Sequence, residues 1–77
     1  MSDAILQLIE TNPKVMFGKP VIKGTRIPVD LILERLANRN SFDEILESYP
    51  HITREDIDAC LYYATLHIRN ESIYTLA

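Results

Sequence analysis

Apolar residues form helical stripes in the second half of the chain and short pairs in the first. After Pro28, a residue suited to a first helical turn, Val29, Ile32, Leu33 and Leu36 recur at i, i+3, i+4 and i+7. Asp30 and Glu34 sit early and Arg35 and Arg39 late, which complements a helix dipole, so the pattern predicts a helix ending between Asn38 and Asn40. Ser41-Phe42-Asp43-Glu44 has the form of a capping box, and Phe42, Ile45, Leu46 and Tyr49 repeat the apolar face until Pro50 stops it. Thr53-Arg54-Glu55-Asp56 marks a third start, with a helix expected from Arg54 to about Asn70. Its inner stripe is Ile57, Cys60, Leu61, Ala64 and Ile68, and its polar outer stripe is Glu55, Asp58, Tyr62, Thr65 and Arg69.

The front half is punctuated differently. Ile5, Leu8 and Ile9 fit one short helical face, which Thr11-Asn12-Pro13 ends. Both glycines, Gly18 and Gly24, fall before Pro28, and Gly24 lies between the β-type pairs Val21-Ile22 and Arg26-Ile27. A glycine there can take positive φ, so the segment predicts a tight β-ribbon. The whole reads as one domain: an N-terminal segment over 1–12, a basic β-ribbon over 13–28, three helices over 29–70 and a tail over 71–77. The expected fold is mainly α, a trihelical bundle of helix-turn-helix type preceded by a short β-ribbon.

Size and charge narrow the function. A chain of 77 residues buries only roughly 60% of the surface it exposes when unfolded, so a partner or a homodimer is a natural source of further burial. The single cysteine, Cys60, cannot form an internal disulfide, which fits a reducing compartment. With no signal-peptide pattern at Met1–Leu6 and no apolar run of membrane-spanning length, the expected location is the cytoplasm, away from membranes. The net charge of -3 is uneven. Pro13 to Pro28 carries Lys14, Lys19, Lys23 and Arg26 and no acid, whereas nine acids face four arginines from Asp30 onward.

The segment Gly18-Lys19-Pro20-Val21-Ile22-Lys23-Gly24-Thr25-Arg26-Ile27-Pro28-Val29 closely resembles a family of small bacterial and archaeal proteins known as domain of unknown function 433. Residues 41–50 and 57–64 are similar to it as well, so the resemblance spans about Asn12 to Ile68. It implies a homeodomain-like helix-turn-helix fold. It also implies a VapB-like antitoxin role, often beside a PIN-like ribonuclease as the partner toxin.

Candidate site residues follow from charge and placement. Lys19, Lys23, Arg26, Arg35 and Arg39 are the cations expected to carry any operator DNA; around Gly18 and Gly24 either backbone N–H groups meet phosphates, or the glycines simply shape the turns while Arg26 pairs with a helix acid and the lysines stay solvated. The outward acids Asp43, Glu44, Glu47, Glu55 and Asp58 oppose an ordinary recognition-helix mode. An acidic helical surface is most simply a solvated face, or else a docking face for a basic partner. The tail offers Ile73, Tyr74 and Leu76 as apolar anchors, and Arg69 as a cation for the carboxylates of a PIN-like site if that is the partner. No enzymatic role, metal or cofactor is expected. Cys60 reads as core, and His67 lies two helical turns from it, roughly 10 Å along the axis, too far to share a zinc ion. Ser41 and Thr53 read as helix caps. The expected function is an antitoxin-like protein that neutralises a toxin and can autorepress its operon. The alternatives are a stand-alone transcriptional regulator or a dimeric adaptor that binds no DNA.

Overall fold

The computed structural model describes the backbone of residues 3–75 and the side chains of residues 3–70. A 3-10 turn over Asp3–Leu8 leads into strand β1 (Ile9–Asn12), which pairs antiparallel with β2 (Val15–Ile22). Helices α1 (Val29–Ala37), α2 (Phe42–Ser48) and α3 (Arg54–Thr75) follow. The trihelical body behind a β-ribbon is the architecture that the hydrophobic pattern predicts.

The ribbon is built from a different pair of segments than expected. Its main partner for Val21-Ile22 is β1, with Ile9 opposite Ile22 and Glu10 opposite Val21. The predicted pairing across Gly24 survives only as the Val21–Pro28 bridge and the bond from the Ile22 N–H to the Ile27 carbonyl, 3.0 Å. The ribbon therefore begins at Ile9 rather than Pro13. Helical spacing at Ile5, Leu8 and Ile9 was a poor guide to Ile9, because the buried Val21 and Ile22 offer it a strand to pair with. The Thr25 hydroxyl donates to the Ile22 carbonyl at 2.7 Å and accepts from the Ile27 N–H at 3.0 Å, which closes the turn around Gly24 (φ +79°).

The core is small and sits where the ribbon meets the helices. Ile22, Val29, Ile32, Ile45, Ile52, Ile57 and Cys60 are buried together, with Ile9, Phe42, Tyr49 and Tyr63 packed against them. Cys60 is thus a core residue, as its stripe position predicts. The inner stripe of α3 holds only at its start. Ile57 and Cys60 are fully buried, but Leu61 is 38% and Ile68 64% exposed. A helix of 22 residues is about 33 Å long by the usual rise, and it outruns the seven-residue α2 that covers its beginning. The helix also runs through Thr75, so residues 71–75 of the expected tail are helical backbone.

Local chemistry sets the helix ends. The Ser41 hydroxyl accepts from the Glu44 N–H at 3.1 Å, and the Glu44 carboxylate accepts from the Ser41 N–H at 2.8 Å, completing the capping box. Thr53 and Asp56 exchange the same pair of contacts at the start of α3. Helix α1 closes with the Arg39 N–H bonded to the Leu36 carbonyl and the Asn40 N–H to the Arg35 carbonyl, both 3.0 Å, the arrangement of a Schellman motif. Arg39 occupies its left-handed position (φ +69°), where glycine is preferred. The Arg35 guanidinium joins α1 to α2, donating to the Ser48 hydroxyl at 2.8 Å and lying 5.8 Å over the Tyr49 ring. Arg54 ion-pairs with Asp43 and covers the Phe42 ring at 5.9 Å, joining α3 to α2.

Two stability predictions follow from these ends. Ser41→Ala costs about 1 kcal/mol, a fall in Tm of roughly 4–8 °C by calorimetry for a domain of this size. Arg39→Gly relieves the left-handed conformation and raises Tm instead, by an effect of about 1 kcal/mol. A third concerns pH. Hydrogen bonds that the carboxylate accepts from Ser41, first from its backbone N–H and then from its hydroxyl, hold the Glu44 carboxyl below its ordinary value of 4.5, so their contribution is present above that pH and is lost as pH falls below it. Glu44→Gln, which keeps a capping side chain, flattens the fall in stability measured by urea titration below about pH 4.5.

Candidate binding surface

The hairpin carries an irregularity that its sequence does not announce. Asn12 opposes Val15, but the next pair is Thr11 with Pro20, so residues 16–19 bulge from one strand. Met16 (φ +49°), Phe17 (φ +57°) and Gly18 (φ +81°) are three consecutive left-handed residues. For Met16 and Phe17 this conformation is strained, on the order of 1–3 kcal/mol each, and such strain concentrates at functional sites. Its effect is to hold Phe17 wholly in solvent, 101% exposed, with Met16 beside it at 38%. No stripe or cap claimed Phe17 in the sequence, and an aromatic residue left over beside Gly18 was the one available signal.

Next to this tip lies an apolar groove of about 250 Å³ between β2, α1 and α3. Pro20, Val29, Leu33, Tyr63, Ala64 and Ile68 line it, together with Asp30 and His67. Tyr63 and His67 stack with ring centroids 4.6 Å apart. Lys19 reaches from the bulge to Asp30 of α1, with Nζ 3.3 Å from the carboxylate, so the base of the bulge sits beside the groove.

The cations expected to meet DNA are not brought together as one free patch. Lys19 pairs with Asp30, and Arg35 is committed to Ser48 and Tyr49 within the bundle. Lys23, Arg26 and Arg39 are exposed. The Gly24 N–H, expected to be available to a phosphate, donates instead to the Glu10 carboxylate at 3.1 Å. Glu10 thereby places a negative charge where an anion would bind, a contact invisible from local spacing because fourteen residues separate the pair. At Gly18, the glycine serves conformation rather than space, since an added Cβ would approach nothing nearer than the Pro13 Cα at 3.8 Å.

On α3 the outer stripe is partly covered. The Tyr62 hydroxyl donates to the Asp3 carboxylate at 2.5 Å, which ties the N-terminal 3-10 turn across the helix. This hydrogen bond, more than any other influence, pushes the Tyr62 phenol above its ordinary value. The acids Glu34, Asp43, Glu44, Glu47 and Glu55 are exposed on the helical body. Of the expected partner anchors, Arg69 is exposed on α3, the side chains of Ile73 and Tyr74 lie outside the described residues, and so does Leu76 entirely. Burial, reinforced by Asp56, pushes the Cys60 thiol up to about 12. Among the described residues no group of three or more His, Cys, Asp or Glu side chains is placed to hold a metal ion, and no helix is long and apolar enough to cross a membrane.

Comparison with known proteins agrees with this architecture. A crystal structure of a DUF433 member protein from Anabaena variabilis superposes with a TM-score of 0.76 over 100% of this chain and 87% of the other, at 22% identity. The uncharacterized protein y4eO of Sinorhizobium fredii is 31% identical over 61 residues, 79% of this chain, and the match spans 28% of that longer protein. An uncharacterized protein of Archaeoglobus fulgidus is 64% identical over 25 residues, 32% of this chain and 69% of its own length. The family described as "Protein of unknown function (DUF433)" matches residues 9–64, from the first paired strand to the middle of α3, and the chain belongs to that family.

Proposed function

We propose that this protein acts by binding rather than by catalysis, as the antitoxin-like half of a toxin–antitoxin pair whose partner is a basic, RNA-binding toxin, a PIN-like ribonuclease being the kind of enzyme that fits. One observation carries the reading: the division of charge between a basic hairpin and an exposed acidic helical body. Glu34 on α1, Asp43, Glu44 and Glu47 on α2, and Glu55 on α3 all face solvent. Such a body repels phosphates and attracts a protein whose own surface is built to hold RNA. Three candidate nucleophiles have other employment. Cys60 is buried with its thiol pushed up to about 12, and the Ser41 and Thr53 hydroxyls cap helices. The cytoplasm is the compartment in which such a pair would work.

A stand-alone DNA reader has less support. The Glu10 carboxylate holds the Gly24 N–H, and Lys19 and Arg35 are engaged within the chain. Autorepression of an operon would fall to Lys23, Arg26 and Arg39, with the toxin bound.

The test is a tagged pull-down from the native host, followed by co-expression with whatever small protein co-elutes. A near-stoichiometric partner that arrests growth alone and is silenced by this chain supports the reading. Glu34→Lys/Glu47→Lys/Glu55→Lys should weaken that complex at least tenfold with the far-UV dichroism unchanged. Absence of any toxic partner, or equal binding by the triple variant, overturns it.

A further inference from the structure

The geometry points to a homodimer in which the Met16-Phe17 tip of each copy inserts into the apolar groove of the other. Among the described residues, the tip and the groove are two apolar features that the single chain leaves uncovered. Phe17 is fully exposed and held there by consecutive left-handed residues, so it makes no use of its own groove. An apolar cavity of about 150 Å³ can hold a benzene molecule, and the groove, at about 250 Å³, has room for a phenyl ring with part of a neighbouring Met side chain.

Placement favours a second copy as the occupant. Pro20 lines the groove three residues beyond Phe17 on the same strand, and Lys19 bonds to Asp30 beside it. Tip and groove are therefore joined by a short stretch of one strand. A two-fold axis beside that stretch would set the tip of each copy against the groove of the other, which satisfies both at once. Charge is complementary in the same sense. The hairpin brings Lys14 next to its tip, whereas α1 presents the exposed Glu34 beside Leu33 of the groove, one turn on from the Asp30 already paired with Lys19. Two basic hairpins thus approach two acidic helices, and like charges are kept apart. The contact is small, so the dimer belongs to the weak, concentration-dependent class. This inference does not rest on the toxin-binding reading: only Glu34 is common to the two surfaces, and Phe17→Gly and Ile68→Glu leave the acidic residues untouched.

Sedimentation velocity of the full chain from micromolar to millimolar concentration tests it, alongside Phe17→Gly and Ile68→Glu. Both substitutions fall on exposed side chains, and glycine suits the φ of residue 17, so the fold should survive and circular dichroism should confirm it. The wild type should shift from monomer to dimer, and each variant should weaken association at least tenfold. An equimolar mixture of the two variants should associate more tightly than either alone, because the groove of Phe17→Gly and the tip of Ile68→Glu remain intact and rebuild one contact. A wild type that stays monomeric at millimolar concentration, a Phe17→Gly chain that dimerises as well as wild type, or a mixture no tighter than its components each overturns the proposal.

Discussion

Burial of Val21 and Ile22 is the constraint on which the rest of the structure depends. Both are essentially inaccessible to solvent, and they are held from two sides. Strand β1 covers one edge through Ile9 opposite Ile22, and the chain leading into α1 returns along the other through the Val21–Pro28 bridge. The Ile22 side chain then enters the cluster formed by Val29, Ile32, Ile45, Ile57 and Cys60. A two-stranded ribbon is marginal alone, and three helices around so few buried residues are scarcely better. Sharing Ile22 makes them one cooperative unit.

That coupling also explains the form of the surface. With the lower part of β2 fixed by Ile22 and its end fixed by Asn12 opposite Val15, the four residues 16–19 must leave the ladder. Met16 and Phe17 accept left-handed backbone as a result, and the side chain of Phe17 is driven into solvent. Past the end of α2, α3 leaves Ile68 exposed, with the half-buried Ala64 and Tyr63 beside it. The features offered to partners are consequences of where the small core stops.

How much of this was legible in the sequence follows the range of the forces involved. The capping box at Ser41–Glu44, the cap at Thr53–Asp56 and the stripe on α1 are contacts between residues three or four apart, and all were readable. The pairing of Ile9 with Ile22 was not, since it depends on contacts thirteen residues apart and Ile9 fits a helical stripe equally well. Leu61 and Ile68 keep the period of α3 but lie beyond what covers it, so periodicity placed them inside when they are not. The five-cation reading failed to foresee that Lys19, Arg35 and the Gly24 N–H would be taken by Asp30, Ser48 and Glu10, because each partner lies more than ten residues away. The left-handed run at Met16 and Phe17 has no residue signature at all.

The shared role of Ile22 is tested most directly by native-state amide hydrogen exchange. The Ile22 N–H, bonded to the Ile27 carbonyl, and the Lys23 N–H, bonded to the Leu8 carbonyl at 2.8 Å, belong to the ribbon, while Ile57 and Cys60 report on the bundle. If ribbon and helices form one unit, all four amides open with the free energy of global unfolding and share its dependence on denaturant. Rapid exchange of Ile22 and Lys23 while Ile57 and Cys60 stay protected would show that the bundle stands without the ribbon, and would contradict the account.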